Sequence, residues 1–451
     1  MSLPSEKIPV SVLPLGDPGV ARRLDNMLRS PALEVFMREK RVPRMRVLPS
    51  VKAPALEREG VFFVSYPHEW APVMLFEAAN LTLDMAERLL PEGLGLKEAT
   101  PFKIWFNGPV AQWNCMFSIE RREATDKTWM AYSQFVRTFV VPLLLNRYFN
   151  MPTEGFFLTR RDGLHANELL PMLGWLQRWR EPFFTAITAP ALLNWGSKKS
   201  LPAKSLTPRH LKSAYQARFV LRRLLGHTRR VVSLTAPRAN QKSRWSSYLS
   251  QELPYTADQF FDKHSFIDQC LTSVRPKTVL DVGCNTGHFS ELAAKSGARV
   301  VAIDKDPVVV GKLWSRAHHR KADILPLVVD FAAPSPSVGW RNVQCPSFLA
   351  RSKEKFDCVF LLALIHHLMY ADEISLDEIL KAAHSLTREH LLLEYIGPDD
   401  PSVQQLIAAK GLRPIEFNEL EAALQTRFEI VDRKRIVGNN RILYLAKKKK
   451  L

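Results

Sequence analysis

The C-terminal half of the chain is predicted to be α/β, a seven-stranded doubly wound sheet that is mostly parallel and closes with an antiparallel C-terminal hairpin. Three observations predict it. From residue 246 onward, short apolar runs alternate with helical stretches, the pattern of a parallel sheet covered on both faces. The first run, "TVLDVG", breaks into a glycine-containing turn that leads into a helix. The last segment, "FEIVDRKRIVGNNRILYLAKK", holds two runs about Asn439-Asn440 and reads as a hairpin.

The elements follow in order. Val279–Val282 is the first strand, the turn runs from Gly283 to Gly287, and Phe289–Lys295 is the helix after it. Val300–Ile303 is the second strand and ends at Asp304; Ile324–Val329 is the third and ends at Asp330. "FDCVFLLAL" is the fourth, running into Ile365-His366-His367, and "HLLLEYIG" is the fifth. Right-handed crossovers leave few other ways to arrange five such strands and a hairpin.

A chain of 451 residues exceeds one ordinary core, and 46% hydrophobic with 24% charged residues is globular composition. Residues 1–195 read as an α+β domain. "VFFVSY" is expected to be a strand, Pro72 opens a helix, Asn107-Gly108 marks a hairpin, and a second helix covers Trp129–Arg147. The first 50 residues, rich in Pro and Arg, are expected to be a loosely attached arm. No transmembrane segment or secretion signal is visible, which places the chain in the cytoplasm. Five scattered cysteines fit reduced core thiols, and no metal site is expected.

The net charge of +18 is concentrated. Ser197 to Arg244 holds 13 Lys or Arg and no Asp or Glu. Residues 196–245 therefore read as a basic linker, with an amphipathic helix starting at Thr207-Pro208 and carrying Leu211, Tyr215 and Phe219 at four-residue spacing. Such a segment serves as a solvated spacer between domains, as a nucleic-acid contact, or as a contact to an anionic membrane or protein. No RNA-binding module is visible to favour the second reading.

Strand ends in a doubly wound sheet are where ligands bind. Asp281, Asp304, Asp330 and His366 all fall on that edge. Gly283 and Gly287 permit positive φ and close approach of a ligand, and Asn285 tolerates the left-handed conformation where a third glycine is common. Asp304, 23 residues after Asp281, can accept both hydroxyls of a ribose. Asp330 can accept an exocyclic amine beside the flat wall of Phe331, so the ligand implied contains adenosine. Each residue also has a plainer use, Asp281 and Asp304 as helix caps and Phe331 as core. Between a dinucleotide and S-adenosylmethionine, the turn favours the second. Gly283 and Gly287 lack the phosphate fingerprint, and Asp281 suits an ammonium or sulfonium.

"VLDVGCNTGHFS", "VVAIDKD", "LPLVVDF" and "FDCVFLLALIHHL" resemble the class I, Rossmann-like S-adenosylmethionine-dependent methyltransferases over about residues 246–450. "VGWRNVQCPSFLARSKEKFDCVFLLALIHHL" and "SLDEIL" are similar to the methyltransferases related to the bacterial nodulation protein NoeA. The resemblance implies Asp281, Gly283 and Gly287 near the methionine end of the cofactor, Asp304 at the ribose, and Asp330 with Phe331 at the adenine. Asn285 departs from the three-glycine form.

Methyl transfer needs a base only if the acceptor must lose a proton, and His366 and His367 are placed for it, or else hold local geometry. The strand-four end, Ala363-Leu364-Ile365-His366, lacks the Asn/Asp-Pro-Pro-aromatic turn of exocyclic-amine methylation, and Cys345-Pro346 is not the arrangement used for carbon-5 of pyrimidines. In the long loop before strand four, Trp340 and Arg341 either meet the acceptor or pin the loop; Tyr248, Tyr255 and Lys263 are expected to form a lid. The acceptor itself is not encoded legibly, a small molecule or glycan being favoured over RNA, and neither is the oligomeric state. The rival to an enzyme is a non-catalytic cofactor-binding scaffold acting through the N-terminal domain and the linker.

Overall fold

In a computed structural model, residues 10–48, 54–194, 210–238, 241–243, 245–246, 255–438 and 440–450 are described. The chain divides into two compact units, Met1–Ala239 and Asn240–Leu451.

In the first unit, the segment expected to be a loose arm is folded over residues 10–48. Strands Val10–Pro14 and Met45–Leu48 flank Ala55–Glu59 in an antiparallel three-stranded sheet. Its prolines start helices rather than break them. Pro18 opens α1 (Pro18–Leu28) behind the Asp17 cap and Pro31 opens α2 (Pro31–Arg38) behind Ser30, with Leu24, Leu33 and Phe36 buried. "VFFVSY" is not a strand: Val61, Phe63 and Ser65 alternate into the core, but the segment pairs with no ladder among the described residues. The strand lies just before it. The Asn107-Gly108 hairpin forms as expected, Ile104–Asn107 against Val110–Trp113, with Gly108 at φ +56°.

The basic helix is α4 (Ala214–Leu234), which starts at the Ser213 cap; Thr207 and Pro208 lie outside the described residues. It is no free spacer. Ala217, Leu221, Leu225, Thr228 and Val232 form its buried stripe and pack against α3 (Pro72–Leu89). Arg229 is bound at 2.8 Å to both Asp84 and Glu87 of α3. Tyr215 and Phe219, placed on the apolar face by their spacing, are exposed, because the true stripe lies two residues further along the helical wheel.

The second unit holds the seven-stranded sheet. In chain order its strands are β1 (Thr278–Val282), β2 (Arg299–Asp304), β3 (Ile324–Val328), β4 (Phe356–Leu361), β5 (Thr387–Ile396), β6 (Phe428–Arg435) and β7 (Arg441–Lys448). Their spatial order is β3-β2-β1-β4-β5-β7-β6, with β7 antiparallel to both neighbours. Chain order reverses between β1 and β4, which opens a crevice at their carboxyl ends. Helices α5 (Ala257–Val274), α6 (His288–Lys295) and α7 (Pro307–Arg320) flank it. β1 and β3 are buried at every position, and Val279, Val300, Ala302, Cys358, Phe360, Leu392 and Leu443 share one core.

Candidate active site

The crevice is a cleft of about 1120 Å³, its open mouth included, lined by Asp281, Gly283, Asn285, Asp304, Asp330, Phe331, Lys263, His367 and Trp245 among others.

The turn after β1 is held down by its own backbone. The amides of Gly283 and Cys284 both donate to the Ile303 carbonyl of β2, at 2.8 and 3.0 Å, and Gly287 N–H closes the turn on Cys284 at 2.8 Å. Gly283 sits at φ +72° and Asn285 at φ +50°, conformations that glycine and asparagine reach most easily. Gly287 does not line the cleft. A Cβ there would lie 2.3 Å from Leu313 Cδ1 of α7, so this glycine is needed for close packing of the α6 start against α7. With its φ of +82°, Gly287→Ala is expected to cost about 2–5 kcal/mol from backbone strain plus overpacking. A denaturant midpoint equal to the parent's would show that Leu313 yields freely.

Asp304 ends β2 with both carboxylate oxygens engaged, Oδ2 accepting from Asn285 N–H and Oδ1 from Asp306 N–H, each at 2.9 Å. Burial nonetheless raises its pKa, against the pull of those amides. Asp330 Oδ1 accepts from Ala332 N–H at 3.0 Å, and Phe331 stands beside it in the wall. Asp281 is almost wholly buried and accepts from Ser290 Oγ at 2.5 Å. Burial pushes it up to about 6 against that bond; Asp304 adds to the rise and Lys263 subtracts. Three strand ends thus bring three carboxylates to one hollow, and a cation is what would best relieve Asp281. Ala363, at φ +52° just past β4, is a strained non-glycine residue in the same wall.

The two histidines part company. His367 lines the cleft, its ring 5.5 Å from Trp245 in an edge-to-face pair. His366 does not line it. Burial, then the neighbours His367 and Arg441, pull it down to about 3, so it is neutral and a poor base. The two rings still touch, their centroids 4.2 Å apart at 41°, so His366 packs behind His367 at the start of the turn His367–Ala371. Trp340 and Arg341 also lie away from the cleft lining; Trp340 is exposed, and Arg341 takes φ +54° in a short turn.

Of the expected lid, Tyr248 lies outside the described residues, and Tyr255 is no lid over the cleft. It packs into a buried ionic cluster that sequence reading missed. Lys263 Nζ of α5 donates to Glu394 Oε2 of β5 at 2.6 Å, Tyr255 also bonds Glu394, and Arg441 at the start of β7 reaches Tyr255 Oη and Asp400 Oδ2, both at 2.8 Å. Burial pushes Glu394 up, but Lys263 and Arg441 outweigh it and hold its carboxyl below the usual range. The available signal was a glutamate inside the otherwise apolar "HLLLEYIG". Of this cluster, Lys263 alone belongs to the cleft lining.

Residues 255–425 match the family model described as a methyltransferase domain. The second unit is an S-adenosylmethionine-dependent methyltransferase domain. The chain is also similar to nodulation protein NoeA of Rhizobium meliloti (strain 1021), 27% identical over 389 residues, which cover 84% of this chain and 79% of that protein. Among solved structures it is similar to N-methyltransferase NodS from Bradyrhizobium japonicum WM9 in complex with S-adenosyl-l-homocysteine, at 18% identity and TM-score 0.33, covering 46% of this chain and 97% of that one. Magnesium protoporphyrin IX methyltransferase (ChlM) from Synechocystis PCC 6803, with bound SAH, gives 17% identity and TM-score 0.32 over 43% and 84%. The methyltransferase domain's cofactor is S-adenosylmethionine, and a cleft with carboxylates at three strand ends, Asp281 among them buried, suits a cationic nucleoside.

Proposed function

We propose that the methyltransferase domain moves a methyl group to a small-molecule or glycan-like acceptor, with Asp281 facing the cofactor's ammonium, Asp304 its ribose hydroxyls, and Asp330 with Phe331 its adenine. The observation that carries this reading is the convergence of Asp281, Asp304 and Asp330 on one cleft. S-adenosylmethionine supplies an already activated methyl on a sulfonium. The protein's work is therefore to orient the acceptor and keep water out. Trp245, Leu364, Leu368, His367 and Asp372 line the part of the cleft that the cofactor carboxylates do not. One aromatic face, one imidazole and one carboxylate suit a polar ring of sugar size. His367, not His366, is assigned to take the acceptor's proton.

Radiolabelled cofactor incubated with size-fractionated extract tests this. Label is expected in a small-molecule or glycan fraction; label in RNA or protein would overturn the acceptor class, and tight cofactor binding without any turnover would favour a scaffold. Once an acceptor is found, His367→Ala should lower kcat about a hundredfold or more while cofactor affinity stays the same. Equal turnover would remove His367 from proton transfer.

Asp281 also gives a pH dependence. Its folded pKa of about 6 lies above the ordinary carboxylate value of 3.8, so ionising it costs the unliganded fold about 3 kcal/mol, a cost that develops as pH rises from about 4 to about 6. A bound ammonium offsets that cost. Cofactor affinity should therefore be greatest above about pH 6 and fall by up to about tenfold per unit below it, with proton release on binding near pH 6. Calorimetry showing constant affinity between pH 5 and pH 8 would place the ammonium elsewhere.

A further inference from the structure

The first unit carries an apolar face that no described residue of its fold covers. Met172, Trp175, Leu176 and Trp179 are all more than half exposed, at 52%, 72%, 70% and 56%. Trp175 and Leu176 open the one-turn helix Trp175–Arg178, Trp179 caps its end, and Met172 closes the 3-10 turn Leu170–Met172 just before it. The stretch is anchored, so the face is preformed. Leu173 is buried beneath it, Arg178 Nε donates to the Leu173 carbonyl at 3.1 Å, and the Trp179 ring stacks on Phe184 at 6.1 Å.

Its border is cationic. No acid occurs from Leu169 to Arg180, where Arg178 and Arg180 lie. Directly after it, Thr185 Oγ1 lies 3.0 Å and Glu181 3.7 Å from His227 of α4. Arg223 and Arg230, one turn to either side of His227 on the same face of α4, are exposed. Glu181 is the single acid at this junction, and α4 itself has none.

We propose that this face docks the protein on an anionic lipid bilayer, with Met172, Trp175, Leu176 and Trp179 entering the boundary between headgroups and acyl chains while Arg180, Arg223 and Arg230 meet lipid phosphates. Tryptophan partitions to that boundary, and basic residues around an apolar face strengthen attachment to acidic lipids. Single-stranded RNA fits less well, because the aliphatic Met172 and Leu176 offer no ring on which a base could stack. A second copy fits less well too, since a two-fold pairing of this face would set arginines against arginines. No helix among the described residues is long and apolar enough to cross a membrane, so attachment would be peripheral.

Co-sedimentation of the full chain with phosphatidylcholine vesicles, with and without phosphatidylglycerol, tests the proposal. The expected result is binding to the anionic vesicles that weakens with salt and is at least about tenfold weaker on the neutral ones. Tryptophan emission should shift to the blue on binding. Trp175→Ser with Leu176→Ser should reduce vesicle binding at least about tenfold, and Arg223→Glu with Arg230→Glu should remove most of its salt dependence, both with unchanged cofactor affinity. Absence of binding to anionic vesicles at low salt would overturn the proposal. So would a dimer, or retention on single-stranded RNA, that the Trp175→Ser, Leu176→Ser variant abolishes, for then the face belongs to a protein or nucleic-acid partner.

Discussion

Asp304→Ala is expected to weaken cofactor binding by at least about a hundredfold, since two charge-assisted bonds to a ribose are worth about 1.5–3 kcal/mol each before desolvation is deducted. The effect is not confined to the ligand. Asp304 also accepts the amides of Asn285 and Asp306, so it fixes the shape of the turn that a nucleoside must approach. Asp304→Asn separates the two contributions. It keeps the side chain's size and one acceptor but loses the charge, and should fall between parent and alanine. Calorimetry with S-adenosylhomocysteine reads the affinity and circular dichroism reads the fold. Parent-like affinity in the alanine variant would show that the ribose is held by another residue.

Lys263→Met is expected to have the largest effect on stability, about 3–5 kcal/mol, because it leaves Glu394 charged in a fully buried site with Arg441 only at 3.5 Å. Adding Glu394→Gln should recover much of the loss, and the double variant isolates the coupling between the two. Lys263 also borders the cleft, and we propose that its ammonium meets the carboxylate of the cofactor's methionine. At a temperature where the double variant is folded, S-adenosylhomocysteine should bind more weakly than to the parent, while 5′-methylthioadenosine, which lacks that carboxylate, should bind equally. Equal losses for both ligands would mean that the pair acts only on the fold. A single variant that melts with the parent would show that Glu394 is neutral or hydrated.

The sheet was legible because its strands are short apolar runs, and three of them carry Asp281, Asp304 and Asp330 at or just past their carboxyl ends, where they line one cleft. Asp281, Asp304 and Asp330 could be placed on one edge from order and handedness alone. What failed depended on side-chain direction. His366 and His367 are adjacent in sequence, yet only His367 borders the cleft, and no periodicity distinguishes them in a single turn. Gly287 looked like a ligand-side glycine, but its constraint comes from Leu313, a residue of another helix. Trp340 and Arg341 lay on a loop whose path no local pattern fixes. In the first unit, proline was read as a mark of looseness, whereas Pro18 and Pro31 sit at the one helical position where a missing N–H costs nothing. The basic helix was misassigned for a related reason. Five arginines without an acid dominate its text, while the contacts that tie it down are a thin stripe of small and branched residues and the acids of a helix more than a hundred positions away.

The ionic cluster has a consequence for the newborn protein. Tyr255 and Arg441 are 186 positions apart, yet both reach Glu394, the first as a hydrogen-bond donor and the second as a cation beside Lys263. While the polypeptide is still emerging from the ribosome, the strands bearing all three nucleotide-facing acids are already made, but Arg441 is not. Until it arrives, Glu394 has Lys263 as an ion-pair partner but lacks its second cation. A truncated product stopping short of β7 would carry the recognisable motifs beside a glutamate whose charge is only half answered.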